Sequence, residues 1–208
     1  MTHNTNTGKT PRGFQLPTHA AMVRNILDVF ESATPSQAVE GAAWYSDAHA
    51  LAGAITPADE MRGAVIIAAL SPALPWGANM RAAIAAAKVR GSRPSGIIGK
   101  NWSKARKART AADPFAVLSG PKVRAFALCI ASNGQDPHAV CVDRHAAAIA
   151  VGRFLEDGGA AAVRGARFEK IADAYRDAAA LAGVTPAAMQ AITWVVWRAT
   201  PWRSRPSA

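Results

Sequence analysis

Cysteine is scarce in this chain, with two residues in 208, Cys129 and Cys141. Two thiolates exclude a four-cysteine iron–sulfur cluster and an all-cysteine zinc site. Disulfide staples are not needed either, because a chain of this length can bury a core unaided. Long apolar runs are missing too. The most apolar stretch, Gly63 to Leu70, falls far short of the ~20 residues that a membrane-spanning helix needs, so no membrane partner is expected. With no signal-peptide pattern and few thiols, the expected compartment is a reducing cytoplasm. Alternating β-branched runs are nearly absent, which removes the raw material of a sheet. A phosphate-binding P-loop, a dinucleotide fingerprint and a serine-nucleophile elbow are likewise absent.

Alanine and positive charge are plentiful instead. Hydrophobic residues make up 50% of the chain, but many are alanine, so the expectation is all-α, with helices packed closely through small faces. The net charge of +10 matters through its placement. No acidic residue lies between Glu60 and Asp113, whereas Arg62, Arg81, Lys88, Arg90, Arg93, Lys100, Lys104, Arg106, Lys107 and Arg109 all do. A solvated face kept for solubility interleaves both signs. This segment therefore reads as a surface for a polyanion.

Along the chain, residues 1–17 read as a disordered arm, 18–200 as one helical domain and 201–208 as a frayed basic tail whose start Trp202 could anchor. Met22, Val23, Ile26, Leu27, Val29 and Phe30 recur at helical spacing, and Thr34-Pro35 with Gln37 opens a further helix. A helix around Ala42 to Leu51 is expected to end near Gly53. Thr56-Pro57-Ala58-Asp59 has the cap-then-proline form of a new start leading into Met61 to Leu70, which Ser71-Pro72 breaks. An alanine-rich helix follows Trp76 and Asn79, then a basic helix from about Asn101 to Ala111 and a short one after Asp113-Pro114. Leu118 to Lys122 forms a tight turn between helices, the whole hairpin occupying about 115–131. Asp143 stands where the cap of a helix from Arg144 to Phe154 belongs. Two last helices run from Phe168 to Ala182 and from Thr185-Pro186 through Trp197.

Two segments carry chemistry. In Leu118-Ser119-Gly120-Pro121-Lys122-Val123-Arg124-Ala125-Phe126, a glycine before a helix start lets backbone N–H groups approach a phosphate; Pro121 wastes no donor at the first helical position, and Lys122 adds a charge. About twenty residues on, Val140-Cys141-Val142-Asp143-Arg144-His145 places a carboxylate at a helix start. A carboxylate so placed can stabilise the oxocarbenium-like state of glycosidic cleavage and orient or deprotonate water. The bland readings are an ordinary helix–turn–helix connection and a plain N-cap aspartate.

Together these segments resemble the endonuclease III-like helix-hairpin-helix DNA glycosylases, in which a Leu-Pro-Gly-x-Gly hairpin is followed by a Val-Asp-x-His segment. Gly99 to Ala105 is similar to that superfamily's Gly-x-x-x-x-Lys-Ala helix start, and Ile66 to Pro72 to its apolar helix ending in Leu-Ser, with Ala73 where the family has a probing glutamine. The resemblance covers roughly Val65 to Phe154. It implies a divergent member with two helical lobes and a groove between them, acting as a monomer on DNA. The reaction implied is cleavage of the N-glycosidic bond of a flipped base in a bacterial or phage-infected cytosol. Bacteriophage base hypermodification on the same fold is an alternative, and a non-catalytic DNA-binding module is another.

The resemblance assigns catalysis to Asp143 and Lys122, and DNA contact to Gly120, Pro121, Lys122, Arg124, Lys100, Lys104, Lys107, Arg144 and His145. The lysine that lets some relatives attack the sugar is replaced by Arg124, which forms no Schiff base, so water is the expected nucleophile; Lys122 stands two residues from that position. Trp76, Asn79, Trp44 and Trp102 are the candidate base pocket, since a flipped base needs an aromatic face, whereas Trp194, on the stripe of Gln190, reads as core. His138, Cys141 and His145 lack a cysteine pair to complete a zinc site, so neither metal nor cofactor is expected.

Overall fold

The computed structural model describes residues 15–155 and 163–200, and these are helical, with no strand among them. The tail with Trp202 lies outside the described residues, as does the N-terminal arm except for its last three residues. Of those, Leu16 packs on the apolar core beside it.

Helix α1 (His19–Glu31) starts at Thr18, whose hydroxyl accepts from Ala21 N. α2 (Pro35–Ile55) opens with a capping box: Thr34 Oγ1 accepts from Gln37 N, and Gln37 Oε1 accepts from Thr34 N. It runs through Gly53, where the sequence suggested a stop, because α3 (Glu60–Leu70) lies against its last turns. The approach is close enough that a Cβ on Gly63 of α3 would sit 2.2 Å from the Ala52 carbonyl oxygen. The start of α3 is also displaced from the expected one. Thr56 does not cap it, since its hydroxyl donates backwards to the Ala52 carbonyl and to Asp59 O, and Asp59 caps instead by accepting from Arg62 N at 2.9 Å.

α4 (Trp76–Ala87) follows the Ser71-Pro72 break, and α5 (Gly99–Ala108) is the basic helix, ending three residues earlier than expected. A single 3-10 turn, Phe115–Val117, leads to α6 (Pro121–Ala131). α7 (Arg144–Val151) is closed by Gly152, and α8 (Ala166–Ala182) and α9 (Pro186–Ala199) complete the described chain.

Two apolar cores result. α3 is buried all round from Gly63 to Leu70, as a helix apolar on every face must be, and α2, α4, α5 and α6 pack on it. The second core gathers Met22 and Ile26 of α1, Ile149 of α7, Ile171 and Tyr175 of α8 and Met189 of α9. α9 touches both, because Ala187 and Ala191 belong to the first core and Met189 and Trp197 to the second. Among the described residues no single helix is long and apolar enough to cross a membrane.

Candidate functional site

A cavity of about 1020 Å³ opens where these helices meet. α2 contributes Trp44 and Tyr45, the α3–α4 connection Ala73 to Pro75, and α4 Trp76 and Asn79. Lys122 and Phe126 come from α6, one helical turn apart; Cys141 to Asp143 lead into α7, whose first residues are Arg144 and His145, and Gln190, Trp194 and Arg198 recur every fourth residue on α9.

Aromatic rings form one wall. Trp44 is the hub, its centroid 4.9 Å from Trp76, 4.9 Å from Tyr45, 5.8 Å from Phe126 and 6.4 Å from Trp194. These are the tilted and edge-on spacings that aromatic pairs favour. Two cations lie on the rings, Lys122 Nζ at 5.6 Å from the Phe126 centroid and Arg198 at 4.6 Å from that of Trp194. His145 stands edge-on to Trp194. Ala73 holds φ +60°, a left-handed conformation costly for a residue with a Cβ, in the loop bordering the cavity.

Asp143 is held in place by its helix. Oδ1 accepts from His145 N at 2.9 Å and Ala146 N at 2.8 Å, so two of the orphan donors of α7 fix the carboxylate. Oδ2 takes no hydrogen bond from the described residues. The Cys141 thiol contacts the Lys122 carbonyl at 3.9 Å, tying the start of α6 to the approach to α7. Burial raises the Cys141 thiol to about 12, with the Lys122 charge pulling the other way. A thiol so protonated is no nucleophile at neutral pH.

Two side-chain amides line the cavity. Asn79 is 1% exposed, and its Oδ1 is buried without a hydrogen-bond partner. Such an orphan costs about 1–3 kcal/mol unless something supplies the missing bond. Gln190 is held differently, since its Oε1 accepts from the Tyr45 hydroxyl at 2.8 Å. Burial drives Tyr45's pKa well above the ordinary phenol value, so the hydroxyl keeps its proton and remains the donor.

The hairpin sits beside this cavity. Gly120 takes φ +88° and ψ 140°, a region closed to side chains, and a Cβ there would meet nothing within 4 Å. No side chain caps α6, whose start at Ser119, Gly120 and Pro121 is exposed. Lys104 reaches across from α5 to Ser119 Oγ at 2.6 Å. Gly120, Pro121 and Arg124 line a second, smaller cavity of about 520 Å³ with His138 and Arg176. Arg124 itself lies 4.1 Å over the Phe115 ring. The side chain that shares the cavity with Asp143 is therefore that of Lys122, two residues from the position the motif comparison suggested.

The remaining expected site residues divide. Trp44, Trp76 and Asn79 line the main cavity with Asp143, Lys122, Arg144 and His145. Trp102 does not, packing instead against the first core. Lys100 and Lys107 are exposed on α5. The basic stretch is less uniform than its composition suggested. Arg62 pairs with Asp59 at 2.7 Å and donates to the carbonyls of Ala108 and Ala111, and Arg106 donates to those of Ala86, Lys88 and Val89. These two arginines satisfy helix ends, whereas Arg81, Lys88, Arg90 and Arg93 are exposed.

Trp194 was expected in the core and instead lines the cavity, together with Phe126 and Arg198, which sequence reasoning missed. The four-residue spacings Lys122–Phe126 and Gln190–Trp194–Arg198 were the available signal. His138 and Cys141 line different cavities. Among the described residues no group of three or more His, Cys, Asp or Glu is placed to hold a metal ion.

Comparison with known families gives one result. Residues 11–201 match DUF7178, a family of unknown function. The chain belongs to that family. No curated protein and no solved structure matches it.

Proposed function

We propose that this DUF7178 protein is a DNA base-excision enzyme with a helix-hairpin-helix glycosylase mechanism, which receives a flipped nucleotide in the aromatic cavity and breaks its N-glycosidic bond. The observation that carries this reading is the meeting of the Asp143 carboxylate, the Lys122 amine and the Trp44–Trp76–Trp194 cage in one cavity.

Each part has a physical task. The rings offer stacking worth about 1–3 kcal/mol per base. Asp143 lies where a carboxylate can offset charge developing at the sugar and take a proton from water, and its helix fixes the group beforehand so that no reorganisation is needed. The uncapped start of α6, with Gly120 leaving open space before it, suits a phosphate oxygen; exposed Lys100 and Lys107 extend the positive surface.

The position of Lys122 favours a second reading on the same substrate, with the amine in place of water. Asp143 takes a proton from the Lys122 ammonium, the freed lone pair forms a bond to C1′, and the glycosidic electron pair leaves with the base, which takes a proton from the new secondary ammonium. Ring opening then gives a Schiff base that borohydride reduces to a stable adduct.

The test is incubation with duplexes carrying damaged or modified bases, reading abasic sites, base mass and borohydride adducts. Abasic sites supply the expected result, and an adduct lost in Lys122→Ala assigns the amine. Asp143→Asn is expected to slow release at least ~100-fold. A changed base mass with the glycosidic bond intact overturns excision in favour of base modification, and binding without either product reduces the protein to a DNA-binding module.

A further inference from the structure

Resting on the reading of the cavity as a base pocket, we infer that Asn79 is the specificity-determining residue: its amide oxygen accepts a hydrogen bond from an N–H on the edge of the inserted base while Gln190 donates to a neighbouring acceptor.

The two amides are in opposite situations. The oxygen of Gln190 is already engaged by Tyr45, which leaves its NH₂ as the group with hydrogen-bonding capacity to spare. The oxygen of Asn79 is buried and receives nothing from the protein. Folding has sealed it from water within the wall of the cavity, where no protein group repays the loss, so that it gains a partner only by turning into the cavity towards a ligand. One amide thus offers a donor and the other needs one. A planar heterocycle that presents an N–H beside a ring nitrogen or carbonyl acceptor satisfies both, and the aromatic wall accepts its face. Bases carry such adjacent donor–acceptor edges, and an analogue lacking the N–H leaves Asn79 Oδ1 as stranded as it is in the empty cavity. A site of this kind rejects the deficient analogue far more strongly than an apolar pocket rejects a missing methylene.

The experiment uses the full chain and tryptophan fluorescence, since three tryptophans border the cavity. Matched deoxynucleosides are titrated: deoxyadenosine against purine deoxyriboside, deoxycytidine against the pyrimidin-2-one deoxyriboside, and deoxyuridine against its N3-methyl derivative. In the pair that binds, the member lacking the N–H is expected to bind about 10- to 100-fold more weakly. Asn79→Leu is expected to bring the two members within about threefold of each other, whereas Asn79→Asp, which keeps an acceptor oxygen, retains the preference. Equal binding within the pair by the unmodified protein overturns the assignment and leaves the pocket reading standing, and so does a preference that survives in Asn79→Leu. Absence of binding by every nucleoside overturns the base-pocket reading and the assignment with it. The comparison of paired nucleosides on the unmodified chain decides the matter even where a variant does not fold.

Discussion

Two helix starts about twenty residues apart meet the same physical problem and answer it in opposite ways. α6 and α7 each present backbone N–H groups that no helical carbonyl can reach. At α7 the chain supplies its own anion: Asp143 accepts two of those bonds and is thereby immobilised beside the cavity. At α6 Gly120 brings no side chain, Pro121 removes one donor and the remaining donors stay open at the surface. On the proposed reading, the filled start orients a carboxylate for chemistry, and the open one receives an anion from outside. The protein places them side by side, joined through the contact between Cys141 and the Lys122 carbonyl.

Substitution at the filled start has the largest expected effect. Asp143→Asn keeps an oxygen able to cap α7, so base release should fall by two orders of magnitude or more while the melting temperature barely moves. Asp143→Ala should lose the same activity and, in addition, about 1 kcal/mol of stability, measured by urea unfolding. If the two variants lost activity and stability in parallel, the carboxylate would be a cap and nothing more.

At the open start, Gly120→Ala forces a side chain into a conformation that only glycine adopts comfortably, at a cost of about 1–3 kcal/mol. Because the added Cβ would meet nothing in the protein, the penalty is one of backbone alone. DNA affinity should drop with it, as followed by fluorescence anisotropy, since the added methyl stands where a phosphate would approach. Unchanged affinity would remove the hairpin from the interface.

The smallest effect tests the seam between the starts. Cys141 titrates near 9 when unfolded and about 12 when buried, so above pH 9 the unfolded chain gives up the proton first and stability falls as pH rises. Between pH 8 and 9.5 the loss is on the order of 1 kcal/mol for this thiol, and burial of Cys129 acts in the same direction. Urea titrations across that range measure it; Cys141→Ser should reduce the slope.

Much of the helical plan was legible because caps are local chemistry. Thr34 with Gln37, Asp143 before Arg144, and Pro121 and Pro186 at first helical positions all act within four residues, so the sequence displays both partners at once. The misplaced boundaries have non-local causes. Gly53 does not end α2 because α3 packs along it, and Thr56 spends its hydroxyl on α2 rather than on α3. The basic stretch misled in the same way, since Arg62 and Arg106 are committed to carbonyls 17 to 49 residues away in sequence.

By itself the sequence determined that this is a helical protein with two particular helix starts, one carrying an aspartate and one a glycine, and a long run free of acidic residues. Only the tertiary structure decided which side chains share a cavity. It put Lys122 in the cavity with Asp143 and Arg124 onto Phe115, set Trp102 against the first core and Trp194 at the cavity, and left the Asn79 oxygen without a partner. The physical reason is range. Capping and helix period act over three or four residues, whereas the face a helix buries is settled by neighbours that the chain reaches only after it has folded back on itself.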